Sequence, residues 1–183
     1  MKNVIQINKH PSLKMVVINC LLMVFLTFAG DAIAQDKDPA SLVYRLYKDY
    51  AWEAIFYSSN DVKKHLGNRL VLQSKDELSK YFDDDLLLLL MGESDCVRKN
   101  VGELCRLEFN PIFSSQDPMV SDLTIKPVGL KKVEVTYKYP SNNQKITINY
   151  LMKQTKSGWL ISDIEYVMYN TSLKKILGPN VAK

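Results

Sequence analysis

The chain has 183 residues and a formal net charge of +4, from 24 lysine and arginine residues against 20 aspartate and glutamate residues. This length fits one compact domain. So small a charge predicts neither nucleic-acid binding nor polybasic attachment to a membrane. With only seven glycines, the sequence has no glycine-rich loop of the kind that cradles phosphate.

Residues 1–34 have the pattern of an export signal. Three lysines precede an apolar run over residues 15–28, and Ala-Ile-Ala at 32–34 is the small-x-small pattern that signal peptidase accepts. We expect cleavage between Ala34 and Gln35, which would leave residues 35–183 as a single α+β domain. That domain is expected to be periplasmic or secreted.

Two other fates of the leader stay open. The apolar run is shorter than the roughly 20 residues that a helix needs to span a bilayer, so no stable membrane span is expected after cleavage. Retention of the leader as an anchor is the first alternative. Lipoprotein processing at Cys20 is the second, although Asn19 stands where that processing needs a small residue.

The mature chain begins with a predicted helix over residues 39–57. Asp38 and Pro39 supply an N-cap and a proline at the first helical position. Apolar residues then recur at helical spacing: Val43, Leu46, Tyr47, Tyr50, Ala54 and Tyr57. The interrupted stretch 60–72 leaves room only for a brief helix ending near His65.

A second helix is predicted from Ser74 to the leucine run at 86–90. Ser74 and Glu77 form a capping-box pattern, in which each side chain serves the other's backbone N–H. The five consecutive leucines cover more than one helix face, which indicates deep burial of that end. Gly92 is expected to end the helix or bend it.

The second half of the chain changes from helical to alternating periodicity. Residues 96–118 are predicted to be irregular, and three strands with short links follow within 132–167, which indicates an antiparallel meander. Residues 172–177 are expected to form a closing helical turn. The order predicts an α+β fold, with N-terminal helices packed on a curved β-meander.

Two cysteines, Cys96 and Cys105, remain after removal of the leader. An even pair in an oxidising compartment indicates a disulfide. A redox-active or metal-binding pair is the alternative. The spacing is wider than the two residues typical of redox motifs, and a metal site needs more histidine or cysteine than this chain offers.

The region around these cysteines resembles the bacterial exported family of unknown function DUF-3828. The matching features are two cysteines flanking Gly-Glu-Leu at 102–104, Phe-Asn-Pro at 109–111, Gln-Asp at 116–117, and Gly-Trp at 158–159 before the last strand. The resemblance covers residues 39–177 and implies a compartment and a fold, without an established activity. The element order is also similar to the nuclear transport factor 2-like cone, a scaffold that hosts enzymes and non-enzymes alike.

Candidate catalytic groups are few. His65 is the one histidine of the mature chain and a conceivable general base, but its lysine-rich surroundings favour an exposed helix end. The run Asp83-Asp84-Asp85 is interpreted as a solvated acidic face. Consecutive helical residues point about 100° apart, so they cannot converge on one calcium ion.

A buried carboxylate with a raised pKa could still act as a base in a cone-like pocket. The candidates are Asp85, Asp117, Asp163 and Glu165. None has a recognisable partner in the sequence, and Asp117 more simply accepts local backbone hydrogen bonds in a turn. No metal site or cofactor is expected.

The leading hypothesis is therefore an exported, non-catalytic binding domain. Its partner would be a protein or small ligand of the cell envelope, and one specific version is an immunity-type inhibitor of a periplasmic toxin. The alternative is a small-ligand carrier or a cone-fold enzyme that uses a pocket carboxylate. A mainly structural envelope protein cannot be separated from the first hypothesis by sequence.

Overall fold

The computed structural model describes residues 38–55, 69–100, 102–116 and 119–178, all of which belong to one compact unit within Asp36–Lys183. Four α-helices are described: α1 (Pro39–Ile55), α2 (Lys75–Leu78), α3 (Asp84–Lys99) and α4 (Leu173–Leu177). Two short 3₁₀ helices lie at Leu70–Leu72 and Val167–Tyr169. Five strands are described: β1 (Ser121–Pro127), β2 (Lys132–Lys138), β3 (Lys145–Thr155), β4 (Gly158–Tyr166) and β5 (Thr171–Ser172). The α+β class is confirmed. The leader, with Ala34 and Gln35, and also His65 and Asp117 lie outside the described residues.

The strands form one antiparallel sheet in the order β1-β2-β3-β4-β5. The alternation read from the sequence holds on the central strands, where Val133, Val135 and Tyr137 are buried and face Tyr150, Ile148 and Ile146 of β3. The meander is longer than predicted, since β1 extends it at one edge and the short β5 at the other. The closing helical turn is confirmed as α4, with Ser172 as its N-cap.

The prediction of one continuous helix from Ser74 through the leucine run is wrong. Ser74 does cap α2 by accepting from the Glu77 N–H at 3.2 Å, but α2 ends at Leu78. The chain then runs alongside β4, where the Asp83 N–H donates to the Ile161 carbonyl at 2.9 Å and the Ile161 N–H to the Tyr81 carbonyl at 2.7 Å. These sheet-type bonds satisfy backbone groups that a continuous helix would use internally.

The expected end at Gly92 is also wrong, because α3 continues to Lys99. A glycine within a helix costs only about 1 kcal/mol relative to alanine. Burial of Leu86, Leu87 and Leu90 on the same helix outweighs that cost. The first residues of the segment predicted to be irregular, 96–99, are therefore helical.

Candidate functional site

The candidate site is built around the segment 110–115, which closes on itself. The Asn110 N–H donates to the Ser115 carbonyl at 2.9 Å, and the Asn110 side chain accepts from the Ile112 N–H at 3.1 Å. Ser114 lies in the left-handed region with φ 46° and is buried. Such a conformation is uncommon for a residue other than glycine. Surrounding contacts must therefore hold the segment in place.

Those contacts come from three tyrosine hydroxyls, which bind three consecutive carbonyls of the segment. Tyr166 of β4 donates to the Pro111 carbonyl at 3.0 Å, Tyr47 of α1 donates to the Ile112 carbonyl, and Tyr137 of β2 donates to the Phe113 carbonyl. Buried carbonyls need such partners, because an unpaired one costs free energy comparable to a lost hydrogen bond. We call residues 110–115 the tyrosine-clamped loop.

A fourth buried tyrosine supports the clamp by a hydrogen bond to Tyr47. Tyr150 of β3 donates to the Tyr47 hydroxyl at 3.1 Å, behind the Ile112 carbonyl. Burial raises the pKa of Tyr47, Tyr137, Tyr150 and Tyr166 well above the ordinary value. Tyrosine is protonated at neutral pH even at its ordinary pKa, and burial raises the pKa of these four hydroxyls further, so they stay hydrogen-bond donors and are unsuitable general bases.

The segment leading into the loop is anchored at several points. The predicted disulfide is confirmed, since Cys96 in the last turn of α3 bonds Cys105 with Cα atoms 6.1 Å apart. The buried Glu93 carboxylate accepts from the backbone N–H groups of Arg106 and Leu107, at 3.2 Å and 2.9 Å. The Arg106 guanidinium in turn binds the Leu177 carbonyl at the end of α4. The loop is thus fixed at its base as well as along its length.

Beside the clamped loop lies an open cavity of about 470 Å³. Its described lining combines aromatic and polar side chains: Glu108, Phe109, Ser114, Ser115, Gln116, Tyr139, Tyr169 and Thr171. This volume is in the range of small-molecule sites, roughly 300–1,000 Å³. The residues come from the loop, the segment before it, the end of β2 and the turn into β5, so distant parts of the chain build the cavity together.

Glu108 is the one charged residue among the described residues that line the cavity. In the described part of the chain no lysine or arginine nitrogen lies within 4.0 Å of its carboxylate. Two of the three lining rings already contact buried tyrosines edge-on, Phe109 with Tyr166 and Tyr139 with Tyr137. The third ring, Tyr169, is 54% exposed. The cavity therefore carries an unpaired negative charge beside an accessible aromatic ring.

The acidic run at 83–85 splits between core and solvent. Asp83, interpreted as part of a solvated face, is in fact buried, with 3% of its surface exposed. Its carboxylate caps α3 by accepting from the Leu86 N–H at 3.0 Å and contacts Lys153 and Lys174 at 3.4 Å and 3.6 Å. The acidic-face interpretation is wrong for Asp83 because the break before α3 turns this residue into the N-cap.

Three of the four candidate carboxylates, Asp85, Asp163 and Glu165, are not among the residues that line this cavity. The side chain of Asp85 is 78% exposed and lies 3.8 Å from the Lys174 ammonium. Asp163 accepts from the Lys174 N–H at the start of α4, at 3.0 Å, and Glu165 accepts from the Asn149 amide at 3.3 Å. Asp163 and Glu165 thus have local hydrogen-bond partners on neighbouring elements. Asp117 and His65, outside the described residues, stay predictions.

Neither a metal-binding cluster nor a membrane-spanning helix occurs within the described ranges. There, no three histidine, cysteine, aspartate or glutamate residues are grouped to hold a metal ion. None of the helices in the same part of the chain combines the length and apolar character needed to cross a bilayer.

The clamping role of the tyrosines was not predicted from the sequence. One available signal was tyrosine, rather than phenylalanine, at the inward positions 137, 150 and 166 of the strands. A buried hydroxyl needs a partner. The nearby segment with Asn110 and Pro111 would leave buried carbonyls unpaired unless other groups reached them. Only the tertiary structure shows that these hydroxyls bind those carbonyls.

Comparison of the chain with known protein families, curated proteins and solved structures finds no match. The resemblance to DUF-3828 and the similarity to the nuclear transport factor 2-like cone therefore stay predictions.

Proposed function

We propose that the chain is an exported, non-catalytic binding domain that acts in the periplasm or outside the cell, with the cavity beside the tyrosine-clamped loop as its binding site. The observation that carries this proposal is the clamp itself. Three hydroxyls hold three consecutive carbonyls next to the cavity wall. A wall fixed in this way binds without first having to be ordered, which favours affinity.

The chemistry of the lining supports binding more than catalysis. Its aromatic rings offer contact area, while its hydroxyls and the Gln116 amide offer hydrogen bonds. The described lining contains no histidine, cysteine or lysine that could serve as a base or nucleophile. The raised pKa of the Tyr137 hydroxyl, caused mainly by burial, suits a structural donor.

An immunity-type inhibitor of a periplasmic toxin is the specific version of this proposal. Its support is the turn Val167–Tyr169, where three consecutive large side chains are each about half exposed. Tyr169 belongs both to this turn and to the cavity. A partner protein could cover the turn and insert one side chain into the cavity.

The wider architecture is part of the same proposal. We propose a curled, cone-like sheet covered by helices, as in the nuclear transport factor 2-like fold, and membership of DUF-3828. The support for curling is two irregularities in strand register, one on β1 between Ser121 and Thr124, and one on β4, where Asp163 and Ile161 pair with the consecutive residues Leu151 and Met152 of β3. β-Bulges bend a strand and increase its local twist.

Affinity capture with matched variants tests the binding proposal. The mature chain, Tyr169→Ala and the control Tyr44→Ala would each be used to capture proteins from the envelope fraction of the source cells. Tyr44 is 64% exposed on α1 and does not line the cavity. We expect a partner that wild type and Tyr44→Ala retain and Tyr169→Ala loses. Equal capture by all three variants contradicts the cavity as the binding site, and a partner without toxin activity removes the immunity version.

The second candidate is a small-ligand carrier, or an enzyme that uses a pocket carboxylate. The observation that favours it is a cavity of small-molecule size with a carboxylate in its wall. On this hypothesis Glu108 is the pocket carboxylate in place of Asp85 and Asp163, while Asp117 lies outside the described residues. Mass spectrometry of the intact mature chain under non-denaturing conditions separates the candidates, because a carrier isolated from its own envelope retains a small molecule that Tyr169→Ala releases.

A further inference from the structure

We infer that the cavity beside the tyrosine-clamped loop is a site for an organic cation, either a free alkylammonium or guanidinium compound or the basic side chain of a partner. The inference rests on the proposed function, because it takes the cavity as the binding site. It adds the charge and the chemical class of the group that enters.

The charge of the wall supports a cation. Glu108 contributes the single charged group among the described lining residues, and within the described chain no lysine or arginine neutralises it. The remaining lining groups with hydrogen-bonding capacity are hydroxyls and one amide, which accept hydrogen bonds from an ammonium or a guanidinium. An anionic ligand would meet the Glu108 carboxylate without a compensating positive group in the described lining.

The aromatic lining supports an organic cation over a metal ion. A cation over the face of a tyrosine or phenylalanine ring is attracted by the ring quadrupole. Phe109 and Tyr139 are held by edge-on contacts with buried tyrosines, so their positions are set by the core. Tyr169 is about half exposed, and its ring is therefore the most available to a ligand. A hard metal ion instead needs several oxygen ligands, and no such cluster occurs in the described residues.

A charge series of isosteres tests the inference on the full mature chain. Choline is cationic, 3,3-dimethylbutan-1-ol is its neutral analogue and 3,3-dimethylbutanoate is an anionic one, all with the same branched end. Titration followed by amide chemical shifts in NMR would report both affinity and location. We expect choline to shift the resonances of residues 108–116 and 139. The neutral and anionic analogues should bind at least about fivefold more weakly, because they lack the cation–π contact and the attraction to one screened carboxylate.

Two variant pairs assign the effect to particular side chains. Glu108→Gln should weaken choline binding about two- to fivefold, while Glu103→Gln, an exposed glutamate outside the cavity, should leave it unchanged. Tyr169→Leu should weaken it about two- to fivefold, while Tyr169→Phe retains the ring and the affinity. Added salt should weaken choline binding and leave the neutral analogue unaffected.

A further arm separates the two sources of the cation. N-acetyl-arginine amide mimics a partner's side chain, and propylguanidine presents the same guanidinium, with the same single charge, as a free compound. Tighter binding of the amide supports a partner side chain, and tighter binding of propylguanidine supports a free compound. Either result keeps the inference.

Several results would overturn the inference. Equal binding of choline and its neutral analogue at the cavity rejects the cation and leaves the proposed binding function standing. Shifts outside the cavity, or no shift at millimolar concentrations of any cation, also reject it. Loss of the proposed function is recognised separately, by equal capture of envelope proteins by wild type and Tyr169→Ala.

Discussion

Tyr47→Phe is the sharpest test of the tyrosine clamp. The substitution removes one hydroxyl oxygen and leaves the ring, which packs edge-on against Phe113 with centroids 5.4 Å apart. Two buried partners then lose their hydrogen bond, the Ile112 carbonyl and the Tyr150 hydroxyl. An unsatisfied buried group costs about 1–3 kcal/mol, so we expect the free energy of unfolding to fall by about 2–4 kcal/mol.

A double-mutant cycle with Tyr150→Phe shows whether the hydroxyls act together. In the wild-type background, Tyr150→Phe removes a donor to Tyr47 and should cost about 1 kcal/mol. In the Tyr47→Phe background the Tyr150 hydroxyl already lacks its only hydrogen-bond partner among the described residues. Its removal should then be neutral or slightly stabilising. The expected coupling free energy is about 1–2 kcal/mol.

Urea unfolding of the four proteins, with the disulfide intact and far-ultraviolet circular dichroism as the signal, measures the cycle. The slope of unfolding free energy against urea should stay constant, because the surface exposed on unfolding hardly changes. A Tyr47→Phe variant within about 0.5 kcal/mol of wild type, a change typical of an uninvolved surface position, would refute the clamp. So would equal costs of Tyr150→Phe in both backgrounds, which would mean that the two hydroxyls are independent.

Three further predictions concern stability. Asp83→Ala should lower the free energy of unfolding by about 2 kcal/mol, because it removes the α3 cap and a buried carboxylate that contacts two lysines. Asp83→Asn should lower it less, and the control Asp84→Ala, at an exposed position, should hardly change it. The urea midpoints of the three variants provide the comparison. Replacing Cys96 and Cys105 together by serine should cost about 2.5–3 kcal/mol by loop closure; two alkylatable thiols in the non-reduced mature chain would contradict the bridge. These tyrosines should leave stability unchanged between neutral pH and pH ~9, and stability should fall above pH ~10, since unfolded tyrosine ionises near pH 10 whereas burial raises the pKa of Tyr47, Tyr137, Tyr150 and Tyr166. Each of these tyrosines contributes up to about 1.4 kcal/mol per pH unit to the slope of unfolding free energy against pH. When that free energy is measured by urea unfolding at several pH values, the slope should be smaller by up to this amount in Tyr166→Phe.

The elements with a strong local pattern were predictable from the sequence. α1 begins at Pro39 as its N-cap pattern indicated, and the alternation of Val133, Val135 and Tyr137 correctly assigned the buried face of β2. The disulfide followed from the cysteine count. In each case the interactions that determine the structure join residues close in the chain, or they involve apolar residues that recur with a fixed period. Such interactions can be recognised from the sequence.

The break between α2 and α3 and the make-up of the site depended on the tertiary structure. The helix breaks over residues 79–83, where the Tyr81 carbonyl and the Asp83 N–H bond Ile161 of β4, about 80 residues away along the chain, and Asp83 is the buried cap that follows. The tyrosine clamp likewise joins α1, β2 and β4 to carbonyls of one loop. A hydrogen bond between a hydroxyl and a carbonyl far away in the chain leaves no repeating pattern in the sequence. Only the tertiary structure determines which carbonyl the hydroxyl reaches.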